Sequence, residues 1–140
     1  KNAIFDVVDL DPYGTASLFV DAAVQTIKNG GLLCVTCTDM QVLSGMKADT
    51  CYQYYGSLPI RGKYVHEMSL RILMNLLDTS ASKYKRSVKP VLCLSIDFYV
   101  RVFVRVFDVP KEAVNICQRR GYVLQSTKCP SFFIHPLANS

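Results

Sequence analysis

Residues 3–37 constrain the fold more than any other part of the chain. "AIFDVVDL" and "LLCVTC" are short runs rich in Ile, Val, Phe and Leu. Both are apolar on two faces, as strands buried inside a sheet are. Between them, Ala16, Phe19, Val20, Ala23, Val24 and Ile27 recur at three- and four-residue steps and line one side of a helix over 15–29. Thr15 or Ser17 can cap its start, and Asn29-Gly30-Gly31 is expected to close it. Strand, helix and strand of this kind form a βαβ unit, with parallel strands and a sheet covered on both sides.

The remainder extends that unit. Residues 44–62 carry Gly, Pro and polar residues without a period and read as a long loop, with a short helix at 39–45 before it. Residues 63–80 are helical, with Val65, Met68, Ile72, Leu73 and Leu76 on one face and Glu67 and Arg71 spaced to pair. A basic connector, 82–89, leads into 90–107, where strand signal is nearly continuous. In "YVRVFVRVF" the valines face one way, and Tyr99, Arg101, Phe103, Arg105 and Phe107 the other. The bend between two antiparallel strands falls at Asp97-Phe98-Tyr99. A short helix over 110–120 begins at Pro110, and "YVLQST" and "SFFIH" read as the first strands of a further unit.

Half of the 140 residues are apolar (50%), which suits a packed core and not a disordered chain. No Met opens the sequence and its first ten residues already read as a strand, so the expectation is a fragment of a longer protein. The net charge of +5 is compatible with a polyanion partner without requiring one. No apolar stretch is long enough to span a membrane, and no signal peptide is visible. The six Cys lie mostly in apolar runs and point to buried free thiols of an intracellular protein. Cys34 and Cys37 have metal-like spacing, but on a strand they face opposite ways. His66 and His135 read as ordinary packed or exposed imidazoles.

Chemistry concentrates in "FDVVDLDPYG", residues 5–14. In open parallel sheets ligands bind beyond the C-terminal ends of the strands, where Asp9 to Tyr13 falls. Pro12 fixes its own φ and biases Asp11 toward an extended backbone. The Asp11 carboxylate and the Pro12 carbonyl can then both face the crevice, two acceptors matched to the two hydrogens of an exocyclic amine. Tyr13 offers a flat face for a base. Asp-Pro is also a common turn opener, and Asp a common helix cap. On the residues alone, a solvated turn and an active-site mouth stand level.

The stretches "FDVVDLDPYGTASLFVDAAVQTIKNGGLLCVTCTDM", "GKYVHEMSLRIL" and "KRSVKPVLCLSIDFYVRVFVRV" resemble the tRNA (guanine-26 N2)-dimethyltransferase family. The resemblance runs from Phe5 to about Phe107, and more faintly to Phe133. It implies an α/β fold: the C-terminal half of a Rossmann-like class I methyltransferase sheet, parallel strands ending in an antiparallel hairpin, over residues 1–108. Residues 109–140 would begin a family-specific C-terminal α+β domain. It implies S-adenosylmethionine as methyl donor, the N2 amine of one guanine in tRNA as acceptor, and a nuclear or mitochondrial location. Asp11 matches the family's catalytic acid, Pro12 the residue offering its carbonyl, and Tyr13 the aromatic that stacks on the flipped base. Asp11 and Pro12 would touch the cofactor only at its edge, because the family's glycine-bearing cofactor loop would lie before Lys1. Asp9 is expected to belong to a supporting hydrogen-bond network.

Relatives of this kind carry a Cys-x-x-Cys pair near Cys129 as half of a zinc site. Here Ser126 stands where the first Cys would be, which leaves Cys129 alone as a candidate ligand and zinc binding in doubt. For RNA, the candidates are Arg61 and Lys63, and Lys83, Lys85, Arg86 and Lys89 around Tyr84. Arg101 and Arg105, sharing a face with Phe103, are expected to pack against the C-terminal domain. Two rival readings are an amino-methyltransferase acting on adenine or cytosine, and a non-catalytic RNA-binding module with the same fold.

Overall fold

Strand β1, Phe5–Leu10, leads through a tight turn into helix α1, Ser17–Thr26, and back along strand β2, Ile27–Cys37. β1 and β2 pair in parallel, Asp9 opposite Cys34 and Leu10 opposite Val35. Helices α2, Met40–Leu43, α3, Ala48–Tyr55, and α4, Val65–Ser82, follow. Strands β3, Ser87–Ile96, and β4, Tyr99–Phe107, form an antiparallel hairpin that inserts β4 beside β2. The sheet order is therefore β1-β2-β4-β3. Helix α5, Pro110–Val114, and a 3-10 turn at Asn115–Arg119 lead to a second hairpin, β5, Gly121–Gln125, and β6, Phe132–Pro136. The computed structural model describes residues 4–138.

The core lies on the α1 and α4 side of the sheet. Val100, Val102, Val104 and Val106 are fully buried there, opposite Cys37, Val35, Leu33 and Gly31 of β2. Val20 and Val24 of α1 and Ile72, Leu73 and Leu77 of α4 close over them. Each such fully buried aliphatic side chain contributes roughly 1.5–3 kcal/mol. The alternation expected for β4 holds along its length, and the bend falls at Asp97, whose φ of 46° is one that Asp tolerates. The pairing expected of Glu67 and Arg71 is also present, at 2.7 Å.

Four expectations change. First, β1 is not buried: Phe5 and Val7 are 49% and 57% exposed, because β1 is an edge strand among the described residues. Second, among the described residues α1 and α4 both pack on the valine face, and on the other face of β4 Tyr99, Arg101, Phe103 and Phe107 are half-buried and Arg105 is exposed. Third, α1 ends at Thr26 and not at the glycines, which lie inside β2. The reason is Arg86, 6% exposed, whose guanidinium donates to the carbonyls of Val24 and Ile27 and ion-pairs with Asp108 at 2.6 Å. A buried cation thus satisfies carbonyls that a helix end leaves open, with no glycine cap. Gly30 instead adopts φ +78° inside the strand, and Gly31 approaches Asp6 so closely that a Cβ would sit 2.9 Å from its carbonyl. Fourth, the stretch read as a long loop contains α3, closed by Gly56 at φ 62°.

Candidate active site

The parallel pairing of β1 and β2 sets their C-terminal ends side by side. The Asp11–Gly14 turn and the Thr38-Asp39 segment leave the sheet together at that edge. The turn is clasped there: the Gly14 N–H donates to Thr38 Oγ1 at 2.8 Å, and the Thr38 N–H donates to the Gly14 carbonyl at 2.9 Å. Gly14 takes φ +76°, and space for a Cβ is open, so it is backbone conformation that requires glycine. The Thr15 hydroxyl accepts from the Ser17 N–H at 3.1 Å, which starts α1 from the position before its N-cap, Ala16.

The outward side of the turn is free. Tyr13 is fully exposed, at 104%. Among the described residues, neither the Asp11 carboxylate nor the Pro12 carbonyl accepts a hydrogen bond. Asp11 and Tyr13 are exposed and Pro12 half-exposed, just beyond the C-terminal end of β1. Asp9 takes the supporting role expected of it. Both its oxygens accept from Arg101 Nη2, at 3.0 and 2.8 Å, while Arg101 Nη1 donates to Thr36 Oγ1. The Asp9 hydrogen bond, first, and the charges of Asp9, Cys34 and Asp11 hold the Arg101 guanidinium more firmly protonated than usual. Arg101 lies 5.0 Å over the Phe103 ring and reaches across β2 to β1, and Arg105 donates to the Gly30 carbonyl at 2.6 Å.

Behind the turn lies a group that sequence reasoning missed. Tyr55, 1% exposed, accepts from the Thr15 hydroxyl at 2.8 Å and donates to Asp39 at 2.8 and 2.9 Å. Burial pushes the Tyr55 phenol up, with neighbouring Cys37 next in effect, so the hydroxyl keeps its proton and stays a donor. Burial also raises Asp39, against the Tyr55 hydrogen bond, and pushes the Cys37 thiol up to about 11. Thr38 and Asp39 follow a parallel strand directly, which is a signal that was available. Tyr55 had none, since its helix lacks a clear apolar period.

The basic candidates do not gather into one patch. Arg86 is withdrawn from solvent into its structural role, at the far end of the sheet from Asp11. Lys83 and Lys85 are exposed near it, and Tyr84 donates to Asp21 at 2.9 Å. Lys89 pairs with Glu112 at 3.2 Å. Arg61 and Lys63 are exposed, and Arg61 donates to the Gly45 carbonyl at 3.2 Å. Cys129 is exposed in the β5–β6 turn, where hydrogen bonds from Ser126 and then Ser131 lower its thiol to about 7. Among the described residues, no three metal-ligating side chains stand together. Cys34 and Cys37 are free, with Cys34 near Asp9 and Cys37 beside Tyr55 in the core. His66 Nδ1 lies 3.0 Å from the Ser95 hydroxyl, and His135 is exposed on β6. No described helix is long and apolar enough to cross a membrane.

Known proteins resemble this chain. The tRNA (guanine(26)-N(2))-dimethyltransferase 2 of Arabidopsis thaliana is 50% identical over 136 residues, 97% of this chain and 23% of that protein. The human tRNA (guanine(26)-N(2))-dimethyltransferase is 48% identical over the same share of this chain and 21% of its own length. A mitochondrial tRNA (guanine(26)-N(2))-dimethyltransferase of Saccharomyces cerevisiae is 46% identical. The solved structure of Trm1 from Pyrococcus horikoshii, in complex with S-adenosyl-L-methionine, superimposes with a TM-score of 0.91 at 31% identity. It covers 97% of this chain and 37% of that one. The chain thus spans less than a quarter of the length of these plant and human relatives. Residues 1–139 match the sequence profile of N2,N2-dimethylguanosine tRNA methyltransferases, and the chain belongs to that family.

Proposed function

We propose that this chain supplies the amine-binding side of the active site of a tRNA (guanine-26 N2)-dimethyltransferase. The observation that carries the reading is the turn after β1. It is clasped to Thr38 while Asp11 and the whole Tyr13 ring are exposed, and neither the Asp11 carboxylate nor the Pro12 carbonyl accepts a hydrogen bond among the described residues. Asp11 accepts one hydrogen of the guanine N2 amine, and the Pro12 carbonyl accepts the other. Held so, the amine turns its nitrogen lone pair away from both acceptors. Tyr13 stacks on the extruded base and offsets the cost of taking it out of the RNA stack. Asp11 also takes the proton that the amine sheds on methylation. Catalysis by these residues is mainly positioning.

S-adenosylmethionine, when bound, supplies an electrophilic methyl group on a sulfonium. Asp11 and Pro12 fit the methyl end of that site by their chemistry, as unpaired oxygens at the strand edge. Nothing among the described residues fits its adenosyl end, because Gly30 and Gly31 are committed to β2 and Gly14 to the acid turn. Contacts to tRNA phosphates fall to Arg61, Lys63, Lys83 and Lys85, and not to Arg86. Residues 1–108 belong to the catalytic domain in this reading, and 109–140 open a C-terminal one. Action in the mitochondrion or nucleus is part of the same proposal, with a mitochondrial relative in its support.

The test is Asp11→Ala in a full-length enzyme carrying this segment. Methyl transfer to tRNA is expected to be lost with tRNA affinity nearly unchanged. Unchanged turnover would sink the assignment. Mass analysis of nucleosides from the treated tRNA is expected to show N2-methylated and N2,N2-dimethylated guanosine, and methylated adenosine or cytidine would point to the wrong acceptor.

A further inference from the structure

The front of the Asp11–Gly14 turn makes no bonds within the described residues, so its geometry is set from behind. We infer that Thr38, Asp39 and Tyr55 are positioning residues for the grip formed by Asp11, Pro12 and Tyr13. The inference rests on the reading of that turn given under Proposed function, and names what holds it in register.

Three observations carry it. Thr38 bonds twice to Gly14, its hydroxyl accepting from the Gly14 N–H and its own N–H donating to the Gly14 carbonyl, and so fixes the turn's distance from the end of β2. Tyr55 then fixes the residue that follows. Its hydroxyl accepts from Thr15 and donates to Asp39, so both of its hydrogen-bonding roles are filled. The hydroxyl is buried and the chain of bonds is directional, a setting in which a lost partner is costly and a kept one restrains motion. Finally, Tyr55 is the last residue of α3, and Gly56 ends the helix immediately behind it. The phenol's place is therefore set by a helix end and by core packing. A buried phenol needs a partner in any role, but here both partners belong to the segments that flank the clasp: Thr15 follows Gly14, and Asp39 follows Thr38. Shifting the turn by about 1 Å would misplace Asp11 against its substrate, a displacement worth on the order of 100-fold in rate.

The experiment compares variants of a full-length enzyme carrying this segment, assayed with tRNA and S-adenosylmethionine. Tyr55→Phe is expected to lower kcat about 10- to 100-fold, with KM for tRNA within about twofold. Thr15→Val is expected to do the same, and Thr15→Ser, which keeps the hydroxyl, to restore kcat. A purely structural role would lower Tm and leave kcat of the folded enzyme unchanged. That result for Tyr55→Phe would overturn the inference, as would a rise in KM alone. If Tyr55→Phe does not fold, Thr38→Val and Thr38→Ser carry the same comparison, and equal kcat in the two would overturn it. Asp11→Ala is measured alongside. If Asp11→Ala is inactive and Tyr55→Phe keeps full kcat, only the positioning role fails. If Asp11→Ala turns over normally, the reading of the turn fails and the inference falls with it.

Discussion

Tyr13 projects its entire ring into solvent, so truncating it removes no core, and in the proposed reading it removes the ring on which the base stacks. Tyr13→Ala is expected to change unfolding free energy by less than about 0.5 kcal/mol. It is expected to lower kcat/KM for tRNA by roughly 10- to 100-fold, the worth of one stacked base. Tyr13→Phe keeps the flat face and is expected to stay near wild type, and an equal loss in both variants would argue against stacking. A second residue can be judged by reactivity. The Cys129 thiol, exposed and lowered to about 7, is expected to be alkylated before any other cysteine, with a rate that rises through pH 7. Cys37, buried and raised to about 11, is expected to resist until unfolding. Mass mapping of iodoacetamide adducts across pH checks both, and early labelling of Cys37 would contradict the packing around Tyr55. At this scale the sequence was informative where chemistry is local. Asp11, Pro12 and Tyr13 are consecutive, and one proline sets their backbone. Tyr55 lies 40 positions from Thr15, and no periodicity announces a contact of that span.

Elements that looked alike in sequence separate in the fold by what their polar residues touch. The basic run after α4 reads as one cluster, yet Arg86 alone turns inward to hold the end of α1. Arg86→Ala is expected to destabilise by about 2–4 kcal/mol, since it strands the buried carbonyls of Val24 and Ile27, while the exposed Asp108 carboxylate stays solvated. Lys83→Ala and Lys85→Ala are expected to stay within about 0.5 kcal/mol, as exposed side chains do. Denaturant unfolding of the three variants separates the roles, and a neutral Arg86→Ala would remove the proposed helix cap. The glycines teach the same lesson. "NGG" after an apolar helix is a standard stop signal, and by itself it predicts the end of α1. The helix stops earlier because Ile27 enters the core and Arg86 takes the free carbonyls, neither of which is local information. The glycines serve the β1–β2 pairing instead. Gly31→Ala would bring a Cβ to 2.6 Å from Ile27 Cγ1 and 2.9 Å from the Asp6 carbonyl. It is expected to cost about 1–3 kcal/mol by pushing the strands apart, and to disturb the Asp11 turn at the end of β1. By contrast β4 was legible to the residue, because its alternation reports one buried face and needs no distant partner.

For the whole molecule, topology bears on which half of the proposed reaction this chain would serve. Its two parallel strands end together and build one acid turn there, and its remaining sheet is an antiparallel hairpin. Binding the adenosyl part of a methyl donor calls for a glycine turn between a parallel strand and a helix, where backbone can approach the ligand closely. Among the described residues two turns lead from a parallel strand to a helix: one carries Asp11, Pro12 and Tyr13, and the other, Thr38-Asp39, has no glycine. In the proposed reading the donor side is therefore supplied from outside this segment. The 140 residues alone are expected to give no measurable heat with S-adenosylmethionine at micromolar concentration. A full-length enzyme carrying the same segment is expected to bind it. Titration calorimetry on both proteins, each first checked for a cooperative unfolding transition, makes the comparison. Micromolar affinity in the short chain would mean that its own edge cradles the donor, and the division of labour proposed for the Asp11 turn would have to be redrawn.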